Sequence, residues 1–140
     1  HWPGQAVRVY RSYLAVRPGD SDATATLAVA LYENHEPEES YATFARAISL
    51  DANPDIFALN VARFLLSKNE KSAAETFARR AVVLGPNNGR AHEVLGLVLA
   101  AQARLPDAEA ALLQALRLEP RLASASQLLE NVRTGLRPQP

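Results

Sequence analysis

Apolar and small residues fall along the chain in two kinds of stripe, both at helical spacing. The first kind is Ala6, Tyr10 and Tyr13; Ser40, Phe44 and Ala47; Ala74, Ala78 and Ala81; and Ala108, Leu112 and Ala115. Offsets of four and three residues within each set keep its members on one helix face. The second kind is Leu27, Ala28 and Leu31; Val61, Ala62 and Leu65; and Leu95, Gly96 and Leu99. A closing triplet of an apolar residue, a polar or small one and usually Pro occurs at Val16-Arg17-Pro18, Leu50-Asp51-Ala52, Leu84-Gly85-Pro86 and Leu118-Glu119-Pro120, each 34 residues after the last. The pattern is therefore a repeated pair of helices, and no strand pattern competes with it.

Breakers fall where paired helices need them. Pro3, Pro37 and Pro106 sit at or near the first turn of a second helix, where a missing N–H costs nothing. Asn34-His35, Lys68-Asn69 and Gln102-Ala103 occupy the bends between paired helices. Asn69 tolerates a left-handed backbone there, and Ala103 suits it least. The spacing predicts helices over 3–17, 22–34, 38–51, 55–67, 71–84, 89–102, 106–118 and 122–134. The domain reading that follows is the second helix of a partial repeat at 1–20, repeats at 21–54, 55–88 and 89–122, a capping helix at 123–135 and a tail at 136–140. Leu128, Leu129 and Val132 would pack that cap, leaving Glu130 and Arg133 on a polar outer face. Nothing at the start covers Val9, Tyr10 and Tyr13, so the first helix is expected to continue a longer array or to pair with a second copy.

A 34-residue pair of helices with small-apolar-small positions and a closing Pro resembles the tetratricopeptide repeat. Related repeat families have slightly longer periods and fit worse. The likeness covers nearly the whole chain, with departures: Thr24, Ala58 and His92 replace the first large aromatic, and Ala52 replaces the closing Pro. The resemblance implies an all-α fold, a right-handed α-solenoid of stacked antiparallel helix pairs in which the first helix of each pair lines a concave surface.

Carried over by position, that surface would present Asp22, Ala25, Val29 and Tyr32, then Ile56, Leu59, Asn60 and Arg63, then Arg90, Glu93 and Leu97, and last Gln127 and Asn131. Val29, Tyr32, Ile56, Leu59 and Leu97 offer apolar contacts, each worth about 1–2 kcal/mol when well buried. Asn60 both donates and accepts, which suits a peptide backbone, and Arg63 and Arg90 suit a carboxylate. Chaperone-tail receptors of this family grip a terminal carboxylate with five polar residues. The corresponding positions here are Ala25, Val29, Asn60, Arg90 and Val94, of which only Asn60 and Arg90 are suitable. An apolar or mixed peptide fits better. The function implied is a non-catalytic scaffold that binds a protein or peptide. The alternatives are the C-terminal appendage of a larger enzyme, such as a bacterial membrane glycosyltransferase, or a self-assembly module.

Composition sharpens this without redirecting it. Fifteen basic residues balance fifteen acidic ones, and no basic stripe with interleaved aromatics runs along any helix, so a nucleic-acid partner is not implied. The balance is uneven: 1–19 holds three Arg and no acid, 20–55 holds eight acids and Arg46, and the remainder holds eleven basic residues and seven acids. Such polarity can orient a partner. No apolar run approaches the roughly 18–20 residues that cross a bilayer, so no direct insertion is expected of this segment. The 48% hydrophobic content excludes the disordered class. The absence of Cys removes disulfides, thiolate sites and cysteine nucleophiles, and leaves the compartment open.

His92-Glu93 opens like a zinc-protease helix, but Gly96 stands where the second His belongs, so His92 is expected to be a partly buried structural residue. His1 and His35 have no spacing that gathers them with it, and no metal or other cofactor is expected. The glycines form neither a phosphate loop nor a nucleophile elbow. Glu38-Glu39 lies in a first helical turn, where the helix dipole favours negative charge.

Overall fold

A computed structural model describes residues 1–136, and among them every regular element is an α-helix. In chain order these are α1 Trp2–Val16, α2 Ser21–Glu33, α3 Pro37–Leu50, α4 Pro54–Ser67, α5 Lys71–Leu84, α6 Gly89–Ala101, α7 Leu105–Leu118 and α8 Ala123–Leu136. Each expected boundary is met within two residues. Apart from Leu136, the expected tail at 136–140 lies outside the described residues.

The boundaries are sharp because the bends inside three helix pairs are built identically from backbone. In the first, the Glu36 N–H donates to the Leu31 carbonyl (3.0 Å) and the His35 N–H to that of Tyr32 (3.1 Å). Glu70 and Asn69 do the same to Leu65 and Leu66 at 2.9 Å each, and Arg104 and Ala103 to Leu99 and Ala100 at 3.0 and 2.9 Å. This is the six-to-one and five-to-two pairing that closes a helix when the residue after its cap turns left-handed. His35, Asn69 and Ala103 accordingly carry φ of 64°, 63° and 59°. The residue that completes each closure, Glu36, Glu70 or Arg104, is at once the N-cap of the next helix. No residue is left over between the two helices.

Ala103 pays a steric penalty here, since a Cβ in this region costs about 1–2 kcal/mol, part of which Gly returns through its freer unfolded chain. The variant Ala103→Gly should therefore gain about 0.5–1 kcal/mol, read as a rise of a few degrees in the thermal midpoint. An unchanged or lower midpoint would contradict the strain.

The chain divides into two compact units, the first His1–Pro54 and the second beginning at Asp55. In the first, Val7 of α1 packs with Leu27, Ala30 and Leu31 of α2, flanked by the partly buried Ala6, Tyr10 and Leu14. Ser40 of α3 is fully buried and donates its hydroxyl to the Ala28 carbonyl at 2.6 Å, which satisfies a polar side chain inside the α2–α3 contact. Asp20 caps α2 by accepting from the Ala23 N–H at 2.9 Å, and it also accepts from the Tyr13 hydroxyl at 2.9 Å. These donors, with the Arg17 charge, hold its carboxyl below the ordinary value. Thr24, standing where the family has an aromatic, is buried and bonds the Asp20 carbonyl at 2.7 Å.

Tyr13 marks a difference within the repeat. Its counterparts 34, 68 and 102 residues on, Ala47, Ala81 and Ala115, are fully buried, whereas Tyr13 is 39% exposed. Trp2, Val9 and Val16 of the same helix are 69%, 63% and 82% exposed, so α1 carries an open apolar face.

In the second unit both expected stripes are buried throughout: Val61, Ala62 and Leu65 of α4, Ala74, Ala78 and Ala81 of α5, Leu95, Gly96 and Leu99 of α6, and Ala108, Leu112 and Ala115 of α7. Glycine permits close approaches, two of them on α6. A Cβ on Gly96 would lie 2.7 Å from Leu112 Cγ, and one on Gly89 would lie 2.9 Å from Glu119 Cγ. The Gly89 N–H instead donates to Glu119 Oε1 at 3.0 Å.

In α8, Ala125, Leu129 and Val132 are buried, but Leu128 is only partly so. Arg133 pairs with Glu109 of α7 at 3.0 Å and so ties α8 down. Glu75 of α5 accepts from Gln102 at 2.9 Å, Arg79 at 2.9 Å and Arg104 at 3.0 Å, binding the α6–α7 turn to α5. Gln102 first, then the two guanidinium groups, hold the Glu75 carboxyl below its ordinary value.

Candidate functional site

The second unit carries a groove of about 920 Å³, lined only by α4, α6, α8 and the residues just before the last two. No residue of α5 or α7 reaches it. Repetition explains this selectivity. A helix position recurs every 34 residues, so three successive first helices supply matching rows: Ile56, Arg90 and Ser124; Leu59, Glu93 and Gln127; Asn60, Val94 and Leu128; Arg63, Leu97 and Asn131. Asn88 and Leu122, also 34 apart, complete the lining.

Nine of the thirteen residues that the resemblance placed on the concave surface meet here: Ile56, Leu59, Asn60, Arg63, Arg90, Glu93, Leu97, Gln127 and Asn131; Asp22 and Ala25, on α2, do not. Val29 and Tyr32 belong to α2 in the first unit, where both are half-buried, and they do not line it. Leu59, expected as an exposed contact, is only 5% exposed. Adjacent to the fully buried Ala58, it stands at the edge of the core stripe and forms floor, as Val94 does. Leu128, expected to pack the cap, is part of the wall instead.

Asn88, Leu122 and Ser124 were not foreseen as lining. Asn88 is the informative one, because its side chain does two things. Its Oδ1 accepts from the Arg90 N–H at 3.1 Å and caps α6, while its Nδ2 donates to Asp55 Oδ2 at 2.8 Å at the start of α4. The two helix ends, and with them Arg90 and Ile56, are thus held in register. An Asn immediately before a predicted helix was the available signal.

The groove is chemically mixed. Ile56, Leu97, Leu122 and Leu128 offer partly exposed apolar surface. On α8, Gln127 Nε2 donates to Asn131 Oδ1 at 3.2 Å, leaving one amide acceptor and one amide donor without an internal partner. Arg63 and Arg90 are exposed and have no carboxylate partner among the described residues, in contrast to Arg79, Arg104 and Arg133 of the same unit. Glu93 supplies the one negative charge in the lining.

His92 is half-buried beside the groove, with Nε2 2.9 Å from the Pro86 carbonyl, which holds the ring to the α5–α6 loop. Among the described residues no group of three or more His, Asp or Glu is gathered to hold a metal ion. No helix among them is long and apolar enough to cross a membrane.

Helix pairs joined by identical turns, with a ligand-sized groove walled by first helices and the residues that lead into them, define a helical repeat protein of the α-solenoid class. No family model matches the chain, and no curated protein matches it in sequence. Solved structures do. MamA superposes with a TM-score of 0.70 at 20% identity, covering 93% of this chain and 76% of that one. The Arabidopsis OM64 TPR domain gives 0.63 at 22% identity, covering 82% and 95%. The first TPR of Spaghetti (RPAP3), solved bound to the HSP90 peptide SRMEEVD, gives 0.64 at 18% identity, covering 83% and 92%. The chain has the tetratricopeptide-repeat fold.

Proposed function

We propose that this chain is a non-catalytic interaction scaffold that holds a segment of a partner protein along the groove of α4, α6 and α8. The observation that carries the reading is the lining itself: aligned rows from three first helices, mixing apolar and hydrogen-bonding side chains already fixed by their helices. Binding to such a surface loses little conformational entropy on the scaffold's side. The peptide complex of the RPAP3 domain supports a peptide as the occupant, since that neighbour shares the fold. The terminal-carboxylate grip is not expected here, because Ala25, Val29 and Val94 stand where it needs polar groups.

Panning a dodecapeptide display library on the chain tests the proposal. Enriched peptides should lose about tenfold or more in affinity when Asn60 and Arg63 are both replaced by Ala, with the thermal midpoint nearly unchanged. Equal affinity for the folded double variant would remove the groove assignment.

A second reading rests on the open face of α1. With Trp2, Val9 and Val16 well exposed on one helix, pairing with another copy through this face would bury surface that monomers seldom display. Light scattering over a dilution series should then show mass falling toward one chain; a constant single-chain mass removes this reading and leaves the first intact.

A further inference from the structure

From the charge pattern of the groove we infer the chemistry of its occupant: an extended segment with two acidic side chains four to five residues apart and an apolar side chain between them. This rests on the groove being the binding site and goes beyond it by naming what is recognised.

The charges are placed asymmetrically. Arg90 belongs to the row nearest the start of α6, and Arg63 to the row seven residues further along α4. Seven residues of helix rise about 10 Å, and neighbouring helices stand about 10–12 Å apart, so the two positions lie on a diagonal of about 15 Å. An extended chain advances about 3.3 Å per residue and spans that diagonal in four to five residues. By the rows above, Leu59 and Asn60 of α4 and Glu93 and Val94 of α6 lie between the two arginines, with Leu97 of α6 level with Arg63.

Both guanidinium groups have their full hydrogen-bonding capacity available, because no carboxylate, ring or carbonyl of the described residues engages either. Glu93 lies three residues from Arg90 on the same helix yet is not within ion-pair distance of it. The lining thus keeps one net positive charge within a chain whose formal net charge is zero. On α8 the matching positions, Ser124, Gln127 and Asn131, are uncharged. The two unpaired cations therefore lie on the α4 and α6 side of the groove, on its diagonal, and charge complementarity selects acids there. Within the lining a basic segment would face two cations and one acid, Glu93.

Fluorescence anisotropy with four labelled dodecapeptides on the full chain decides the matter. All four carry one Leu in a Gly/Ser background. The first has two Glu four residues apart with Leu midway, the second has Gln in place of both Glu, the third has Lys, and the fourth keeps the Glu but places them side by side. The first should bind about tenfold more tightly than the second and several-fold more tightly than the fourth, and the third should be weakest. Arg63→Gln and Arg90→Gln should each weaken the first peptide severalfold and leave the second unchanged, at unchanged circular dichroism. Leu97→Glu, checked in the same way for folding, should weaken the first two peptides. If Glu and Gln peptides bind equally, or Lys binds best, while Leu97→Glu still weakens binding, the acidic code is wrong and the groove stands. If no peptide binds, or binding ignores Leu97→Glu in a folded chain, both fall. Sedimentation showing a dimer that Leu97→Glu dissolves would make a second copy the occupant and overturn the inference.

Discussion

Replacing Leu112 with Ala should destabilise the second unit by about 3–5 kcal/mol, the largest effect expected of any single truncation here. Leu112 is fully buried on α7, one helical turn from the equally buried Ala108 and Ala115 on the same face. Gly96, which faces it from α6, and the alanines on its own helix face are too small to fill the space it vacates. Truncation therefore forfeits both the transfer energy of the lost carbons and the contacts around the cavity they leave. In a repeat array, stability is a sum of local pairings and interfaces, so the loss should appear first in the elements around α6 and α7. Urea denaturation followed by hydrogen exchange checks this. Amides of α6 and α7 should lose protection before those of α2, and a midpoint close to the parent's would refute the packing described.

The second large effect concerns the same contact from the other side. Gly96→Val should cost about 2–3 kcal/mol even though Val is a better helix former than Gly. A bare Cβ at Gly96 already lies 2.7 Å from Leu112 Cγ and 2.9 Å from Cδ2, so the added methyls must push α6 and α7 apart. The two substitutions should therefore be strongly non-additive. In the Leu112→Ala background, Gly96→Ala places a methyl into the vacated space and should become neutral or favourable, where alone it is destabilising. A double-mutant cycle measures the coupling, and additivity within about 0.5 kcal/mol would mean that the two positions do not touch.

Much of this was legible in the residues because a repeat writes the same information several times. Small residues at Ala74, Ala78 and Ala81 are ambiguous once, and become a helix interface when Ala108, Leu112 and Ala115 recur in phase. The turn before each second helix was equally readable, down to the misfit at Ala103, which indeed carries φ of 59°. Rows of the groove followed from the same periodicity, since equal positions on successive first helices share a wall.

What escaped was whatever depends on a residue's reach rather than its phase. Leu59 and Leu128 lie at the margin between core stripe and groove, where a few degrees of helix rotation decide exposure. Asn88 serves two helices at once, and Glu75 gathers Gln102 and Arg104 from 27 and 29 residues away. No local pattern announces such meetings. Tyr13 is the instructive exception to phase: it stands in register with three buried alanines, yet it is partly exposed and donates its hydroxyl to Asp20.

The shared residue at each inner bend has a consequence for how such a chain can vary. Because Glu36, Glu70 and Arg104 finish one helix and begin the next, and because main-chain bonds alone do the closing, the three bends spell quite different words. Spelling varies there, within what the left-handed middle residue tolerates; length does not. A single inserted residue would separate the residue that completes one helix from the residue that caps the next, and so break the shared closure. Variation by substitution is thus permitted at the bends, and variation by insertion is turned away.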